Sequence, residues 1–322
     1  MRAPRIVVGL LALIVIGAGL FVLSARSGWL RLDETALRQR YGLPASQFET
    51  IGGQALHLVD EGTGPPVMLV HGSFANLRMW QDWADRLKPG YRVIRFDRPG
   101  SGLSGPNPAG RYDGDAEAEL IGKLADQLKL DRFFLVGTSS SGEGVSHYAA
   151  QHPERLRGLI LANVAAGPLA RSSPHVSPYF RAVLAIDPLL GGWHSQALWR
   201  GVLDNNYVDR AKVTPGLVRE WTDLNNRAQG WPHNPRPDGK GFGADTPDDL
   251  AAITVPTLLL WSDKDPEVPV ERDGQRALAL LGSADKSLIV VSKCGHMMPQ
   301  ECGPQSASQA IAFFDRISAS GK

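Results

Sequence analysis

"GTSSSGEG", Gly137 to Gly144, follows the apolar run Phe133-Phe134-Leu135-Val136, and the reading of the chain turns on it. A short apolar run bounded by glycine reads as a buried strand, so the three serines behind it place a hydroxyl on the turn. A strand-to-helix turn that exposes a nucleophile strains its backbone, and the residues two before and two after must be small, as in G-x-S-x-G. Ser139 meets this demand, with Gly137 before it and Ser141 after it. Ser140 has the β-branched Thr138 two residues earlier, and Ser141 has the large Glu143 two residues later. Ser139 is the candidate nucleophile. Ser141 takes the second glycine position, where one extra hydroxymethyl group is expected to be tolerated because Gly142 relieves the crowding.

The same rhythm extends to both sides. "FETIGGQALHLVDEG" alternates around Gly52-Gly53 and predicts a β-hairpin. Val67 to Val70 and "YRVIRFD" are strands, the first ending at His71-Gly72 and the second in the turn "RPGSGLSGP". Residues 115 to 129 suit a helix with Leu120, Leu124 and Leu128 on one face. "FFLVG", "RGLILAN", "VPTLLLW" and "KSLIVV" are further strands, with helices predicted over "EGVSHYAAQHPERL" and "SASQAIAFFDRI". Continuous apolar strands separated by helices imply a parallel sheet covered on both faces. Between about residues 166 and 250 the rhythm breaks into proline-rich, helix-like pieces carrying Trp193, Trp199, Trp221 and Trp231. This stretch reads as a helical cap inserted between two strands, dividing a core of residues 28–165 and 251–322.

A serine hydroxyl needs a base to take its proton, and the base needs a carboxylate to hold its tautomer. "LLLWSDKDPEVPV" places Asp265 behind one strand, and "LIVVSKCGHMMPQE" places His296 behind the next. Both follow strands, at the edge where open α/β sheets bind ligands. Six segments occur in order: "LVHGSFANLRMW", "VIRFDRPGSGLSGP", "FFLVGTSSSGEG", "ERLRGLILAN", "VPTLLLWSDKDPEVPV" and "CGHMMPQE". Together they resemble the α/β-hydrolase superfamily, in its branch of esterases, C–C hydrolases and haloperoxidase-like enzymes, over about residues 48 to 317.

The resemblance implies an eight-stranded, mostly parallel sheet with helices on both faces and the cap inserted after the sixth strand. It implies catalysis by Ser139, Asp265 and His296. An oxyanion hole is expected from the backbone N–H groups of Ser73, in the loop marked by His71-Gly72, and of Ser140. His71 itself is expected to be structural. Asp265 is preferred to Asp263 as the acid by the family's spacing, and Asp97 and Arg98 are expected to stabilise neighbouring loops. Dehalogenases and epoxide hydrolases of this fold carry aspartate at the elbow, so a serine there points to an acyl-enzyme and to cleavage of an ester, lactone or thioester. Two alternatives stand beside it: C–C bond hydrolysis of a vinylogous diketone by the same residues, with Arg181 and Arg227 available for a carboxylate, and a non-catalytic binding protein on the same scaffold.

Composition narrows the remaining classes. The net charge is +1 over 322 residues, and no basic patch interleaved with aromatics points to nucleic acid. The remaining histidines lack metal-ligand spacing, and neither a dinucleotide fingerprint nor a phosphate loop is present; no metal or cofactor is expected. Residues 1–27 differ from the rest: Ile6 to Leu23 is an uncharged run of 18 residues flanked by Arg2, Arg5 and Arg26. A spanning helix needs roughly 17–25 residues, and a cleavable signal's apolar region is only ~7–15. The expectation is an exported chain anchored in the cytoplasmic membrane with its catalytic part outside, or released if "LSARS" is cut. An exported chain can keep a disulfide; Cys294 and Cys302 would close a short loop around His296, or stand as two unrelated small residues.

Overall fold

The computed structural model describes residues 3–169, 176–228 and 243–320. Eight strands form one sheet: β1 (Ser46–Ile51), β2 (Gln54–Glu61), β3 (Pro66–Val70), β4 (Arg92–Phe96), β5 (Phe133–Thr138), β6 (Leu156–Ala162), β7 (Thr257–Ser262) and β8 (Lys286–Val291). Their order across the sheet is β1-β2-β4-β3-β5-β6-β7-β8, with β2 antiparallel to both its neighbours, β1 and β4, and every other neighbouring pair parallel. The hairpin turns at Gly52-Gly53, both at positive φ, which glycine adopts without a Cβ penalty. The helices in chain order are α1 (Ala3–Arg26), α2 (Glu34–Tyr41), α3 (Gln81–Leu87), α4 (Gly114–Gln127), α5 (Gly142–Gln151) and α6 (Pro178–Ile186). They continue with α7 (Gln196–Asn206), α8 (Pro215–Asn225), α9 (Thr246–Ala252), α10 (Gln275–Leu280), α11 (Met298–Glu301) and α12 (Gly303–Ala319).

Strand β5 shows why the apolar runs are continuous. Phe134 and Val136 pack into the core on one face of the sheet, and Phe133 and Leu135 into the core on the other. Both faces are covered, so alternation with polar residues disappears. The helix ends follow local chemistry. Asp113 caps α4 by accepting the Ala116 N–H at 2.8 Å, a contact typically worth ~1 kcal/mol. The helix predicted through residue 156 stops at Gln151, because His152 precedes Pro153 and the proline ring disfavours helical backbone there.

Helices α6 to α9 lie between β6 and β7, after the sixth strand. Of the four tryptophans, Trp199 and Trp221 are buried and meet edge-on at 5.6 Å; Trp231 lies outside the described residues. The last helix of the stretch, α9, packs against α5, and its Leu250 sits in the core of the sheet. At the N-terminus, Gly9–Arg26 has a mean hydropathy of 2.1 and is 6% buried, long and apolar enough to cross a membrane. Its last turns rest on the insertion. Phe21 meets Trp193 edge-on at 5.6 Å, and an Arg26 guanidinium N–H donates to the Leu189 carbonyl at 3.2 Å.

Candidate active site

The turn after β5 carries its serine in the left-handed region: Ser139 has φ of +56°, a conformation costing roughly 1–2 kcal/mol for a residue with a Cβ. The crowding that selects small neighbours is visible. A Cβ on Gly137 would meet Val145 at 2.8 Å, and one on Gly72 would meet the Ser139 Cβ at 2.8 Å. The expectation for the positions beyond Ser139 needs revision. Gly142 is the crowded one, where a Cβ would come within 2.5 Å of Val164. Ser141 is more than tolerated. Its fully buried Oγ accepts the Thr138 N–H at 2.9 Å, and its O–H lies within reach of the Val70 and Thr138 carbonyls at 3.0 and 2.9 Å.

Three loops behind β5, β7 and β8 bring the predicted residues together. The Ser139 Oγ lies 2.8 Å from the His296 Nε2, and the His296 Nδ1 lies 2.7 Å from the Asp265 Oδ2. The other Asp265 oxygen accepts the Glu267 and Val268 N–H groups at 2.8 and 2.9 Å, so the carboxylate is oriented before it meets the imidazole. Asp263 points elsewhere and accepts the Cys294 N–H at 3.1 Å. Burial opposes charging of the His296 ring, but the Asp265 and Glu267 carboxylates outweigh it and raise its pKa to about 9. Glu267 was not anticipated from the sequence: its half-exposed carboxylate stands 3.5 Å from the His296 Nε2.

Ser73 and Ser140 line the same cavity as Ser139, and the Ser73 hydroxyl donates to the Ser140 hydroxyl at 2.8 Å. Arg98 reaches the Ser140 Oγ at 3.0 Å and pairs with the buried Glu117 at 2.8 Å, so the turn expected to support the loops does so through a buried cation. Burial lowers the His71 pKa to about 4 and keeps the ring neutral. The ring donates from Nδ1 to the Gly72 carbonyl at 2.8 Å and accepts the Arg98 N–H at Nε2 at 2.9 Å. It thus ties the Gly72-Ser73 loop to the Arg98 loop.

A second Ser–His–Asp row exists. Ser46 Oγ lies 2.7 Å from the His57 Nε2, and His57 Nδ1 lies 2.6 Å from the Asp97 Oδ2. Asp97 also accepts the Leu77 and Leu103 N–H groups at 2.6 and 2.7 Å. None of the three lines the main cavity, and Ser46 has ordinary backbone at the start of β1. Hydrogen-bond spacing alone does not make a site; this row braces the "RFDRPGSG" turn.

The main cavity holds about 400 Å³, within the usual range for a small-molecule site. Its floor carries Ser139, His296 and the Ser73 and Ser140 loops, and Phe74, Met79, Phe180, Val202 and Trp221 give apolar walls. Among its described lining residues are two glutamates, Glu143 and Glu267, and no lysine or arginine. Arg227 is spent on Glu34 and on the Gly102 and Ser104 carbonyls, and Arg181 is exposed on α6. Cys294, Glu301 and Cys302 cluster closely enough to suggest a metal. The two sulfurs are instead joined as a disulfide, so the cysteines are not unrelated, and both Glu301 oxygens accept backbone N–H groups.

Residues 65–300 match the model of the alpha/beta hydrolase fold family. The chain belongs to that family. It is 30% identical over 259 residues to a Pseudomonas putida 2-hydroxy-6-oxononadienedioate/2-hydroxy-6-oxononatrienedioate hydrolase, covering 75% of this chain and 85% of the relative. Haloalkane dehalogenase 2 of Mycobacterium tuberculosis is 34% identical over 135 residues, 42% of this chain and 46% of that protein, so the match spans under half its length. The crystal structure of a membrane phospholipase A superposes with a TM-score of 0.68 at 25% identity, covering 99% of both chains. Family membership sets the fold, and the activities named for the relatives differ.

Proposed function

We propose that this hydrolase cleaves carboxylic esters, or related acyl bonds of lactones and thioesters, through an acyl-enzyme on Ser139. One observation carries the reading: a hydrogen-bonded row from Asp265 through His296 ends on a strained serine that opens into an apolar cavity. In the proposed sequence His296 takes the Ser139 proton at Nε2 as Oγ attacks the carbonyl carbon. Asp265 holds the Nδ1–H and stabilises the imidazolium. The N–H groups of Ser73 and Ser140 receive the developing oxyanion, an arrangement in which one lost donor typically costs about 10²–10³ in rate. The imidazolium then protonates the leaving oxygen, and water activated by the same ring releases the acid.

C–C hydrolysis is the rival, supported by the Pseudomonas putida relative. That relative's substrate is a dioate, and a carboxylate in an apolar cavity needs a cation or a set of donors. The described lining residues here offer no cation and two carboxylates, which favours an uncharged acyl substrate. Ser139 in place of a carboxylate disfavours alkyl halide displacement.

The helices α6 to α8, within residues 166–250, act in this reading as a cap whose Phe180 and Trp221 shape the acyl site. Helix α1 anchors the chain through residues 6–23, with the core outside the cytoplasmic membrane, and its docking on the cap favours an apolar substrate taken near the bilayer. Fractionation of the full chain and of a chain lacking residues 1–27 tests the anchor, which a soluble full-length protein would exclude. A fluorophosphonate probe tests the chemistry. It should label the wild type at Ser139, and Ser139→Ala should lose both labelling and turnover of p-nitrophenyl esters. Turnover of a dienedioate with none of any ester would transfer the assignment to the rival.

A further inference from the structure

The loop that carries His296 is bound to the helical insertion by one buried carboxylate. Glu301 is 2% exposed. Its Oε2 accepts the Gly295 N–H at 2.7 Å, next to His296 in the chain. Its Oε1 accepts the Val208 and Asp209 N–H groups at 2.8 and 2.6 Å, just past the end of α7. The Lys212 ammonium donates to the Glu301 carbonyl at 2.5 Å. Gly295 is pressed on the insertion so closely that a Cβ there would lie 2.3 Å from the Asn206 carbonyl oxygen, and the Met297 N–H donates to that oxygen at 3.4 Å. Cys294–Cys302 closes the loop covalently around the same carboxylate.

Three charge-assisted hydrogen bonds from backbone to one buried carboxylate are among the stronger local restraints available to a loop. They do not run at random. One end holds the residue before His296, and the other holds the segment after Asn205 and Asn206, which line the cavity. We infer that Glu301 is a positioning residue for His296 and transmits the placement of the α7 end of the insertion to the imidazole. A substrate that seats against Asn205 and Asn206 thereby steadies the ring that must accept the Ser139 proton. The inference rests on the proposed roles of Ser139 and His296. Glu301 touches no reacting atom; it acts through the backbone at residue 295.

Glu301→Gln in the full chain tests this. A glutamine oxygen can serve Val208 and Asp209, but its NH₂ then faces the Gly295 N–H, donor against donor, and the His296 loop loses its tie. Displacement of a reacting group by about 1 Å can cost on the order of 10² in rate. The expected result is a fall in kcat of that order for a p-nitrophenyl ester, with KM changed less than about two-fold. Fluorophosphonate labelling should slow in parallel, and the downfield proton resonance of the His296–Asp265 hydrogen bond should move or broaden. A purely structural Glu301 would instead lower Tm and leave kcat per folded molecule and the resonance as in the wild type, which would overturn the inference. Should Glu301→Gln fail to fold, Glu301→Asp decides, because it keeps the carboxylate but is one methylene too short to hold the Val208, Asp209 and Gly295 N–H groups together. A smaller fall in kcat with the same resonance shift supports the coupling, and unchanged kcat and resonance refute it. Absence of fluorophosphonate labelling in the wild type would refute the reading of Ser139 itself, separately from the role of Glu301.

Discussion

Ser141 offers the sharpest test of how the strained turn is held. Replacing it with alanine removes an oxygen that is fully buried and that satisfies the Thr138 N–H at 2.9 Å. The same change removes an O–H donated to Val70 or Thr138 carbonyls. An amide left buried without a partner costs about 1–3 kcal/mol; taking the middle of that range, Ser141→Ala should cost roughly 2 kcal/mol. At about 2.1 cal/mol/K of unfolding entropy per residue, a chain of 322 residues loses about 1.5 °C of Tm per kcal/mol, so the expected fall is about 3 °C. The effect should reach the site, because the Thr138–Ser141 hydrogen bond closes the turn that holds Ser139 at positive φ. Scanning calorimetry and the rate of fluorophosphonate labelling measure the two effects. A variant with wild-type Tm and labelling rate would refute the role of the hydroxyl as a brace and return Ser141 to a merely tolerated replacement for glycine.

Three further outcomes are expected. Asp265→Asn should lower kcat by about 10⁴, as the same exchange does in a serine-protease triad; a loss under ten-fold would remove Asp265 from its proposed role. His296 must be neutral to act as a base, and its pKa is raised from 6.5 to about 9. Hence kcat/KM should rise with pH up to about 9, and Glu267→Gln should move this limb to lower pH. The sign for stability is opposite: the His296 contribution is complete below about pH 6.5 and is lost as pH rises through about 9. A limb that Glu267→Gln leaves in place would refute the role of that carboxylate. Finally, the disulfide closes a loop with a sequence separation of 8. Its replacement by Cys294→Ser with Cys302→Ser should cost about 2–3 kcal/mol by the loop-entropy relation, read as a shift of the denaturation midpoint, and an unchanged midpoint would remove its stabilising role.

The sequence by itself determined the apolar strands of the sheet and the small-flanked serine of the turn behind β5. Those features rest on short-range physics: apolar runs for strands covered on both faces, glycine where a Cβ has no room, and one turn too crowded for Thr138 or Glu143 to flank a nucleophile. The order Ser139, Asp265, His296 was also legible, since each candidate follows a strand and open sheets gather such loops at one edge. Tertiary structure alone decided what surrounds them. Glu301 acts on the N–H groups of residues 208, 209 and 295, and Ser141 on that of residue 138. Every residue but proline carries a backbone N–H, so such a partner leaves no trace in the letters. The same holds for the cavity: that Trp221 lines it, that Arg227 is spent on Glu34, and that Ser46, His57 and Asp97 form a row away from it follow from how distant segments pack.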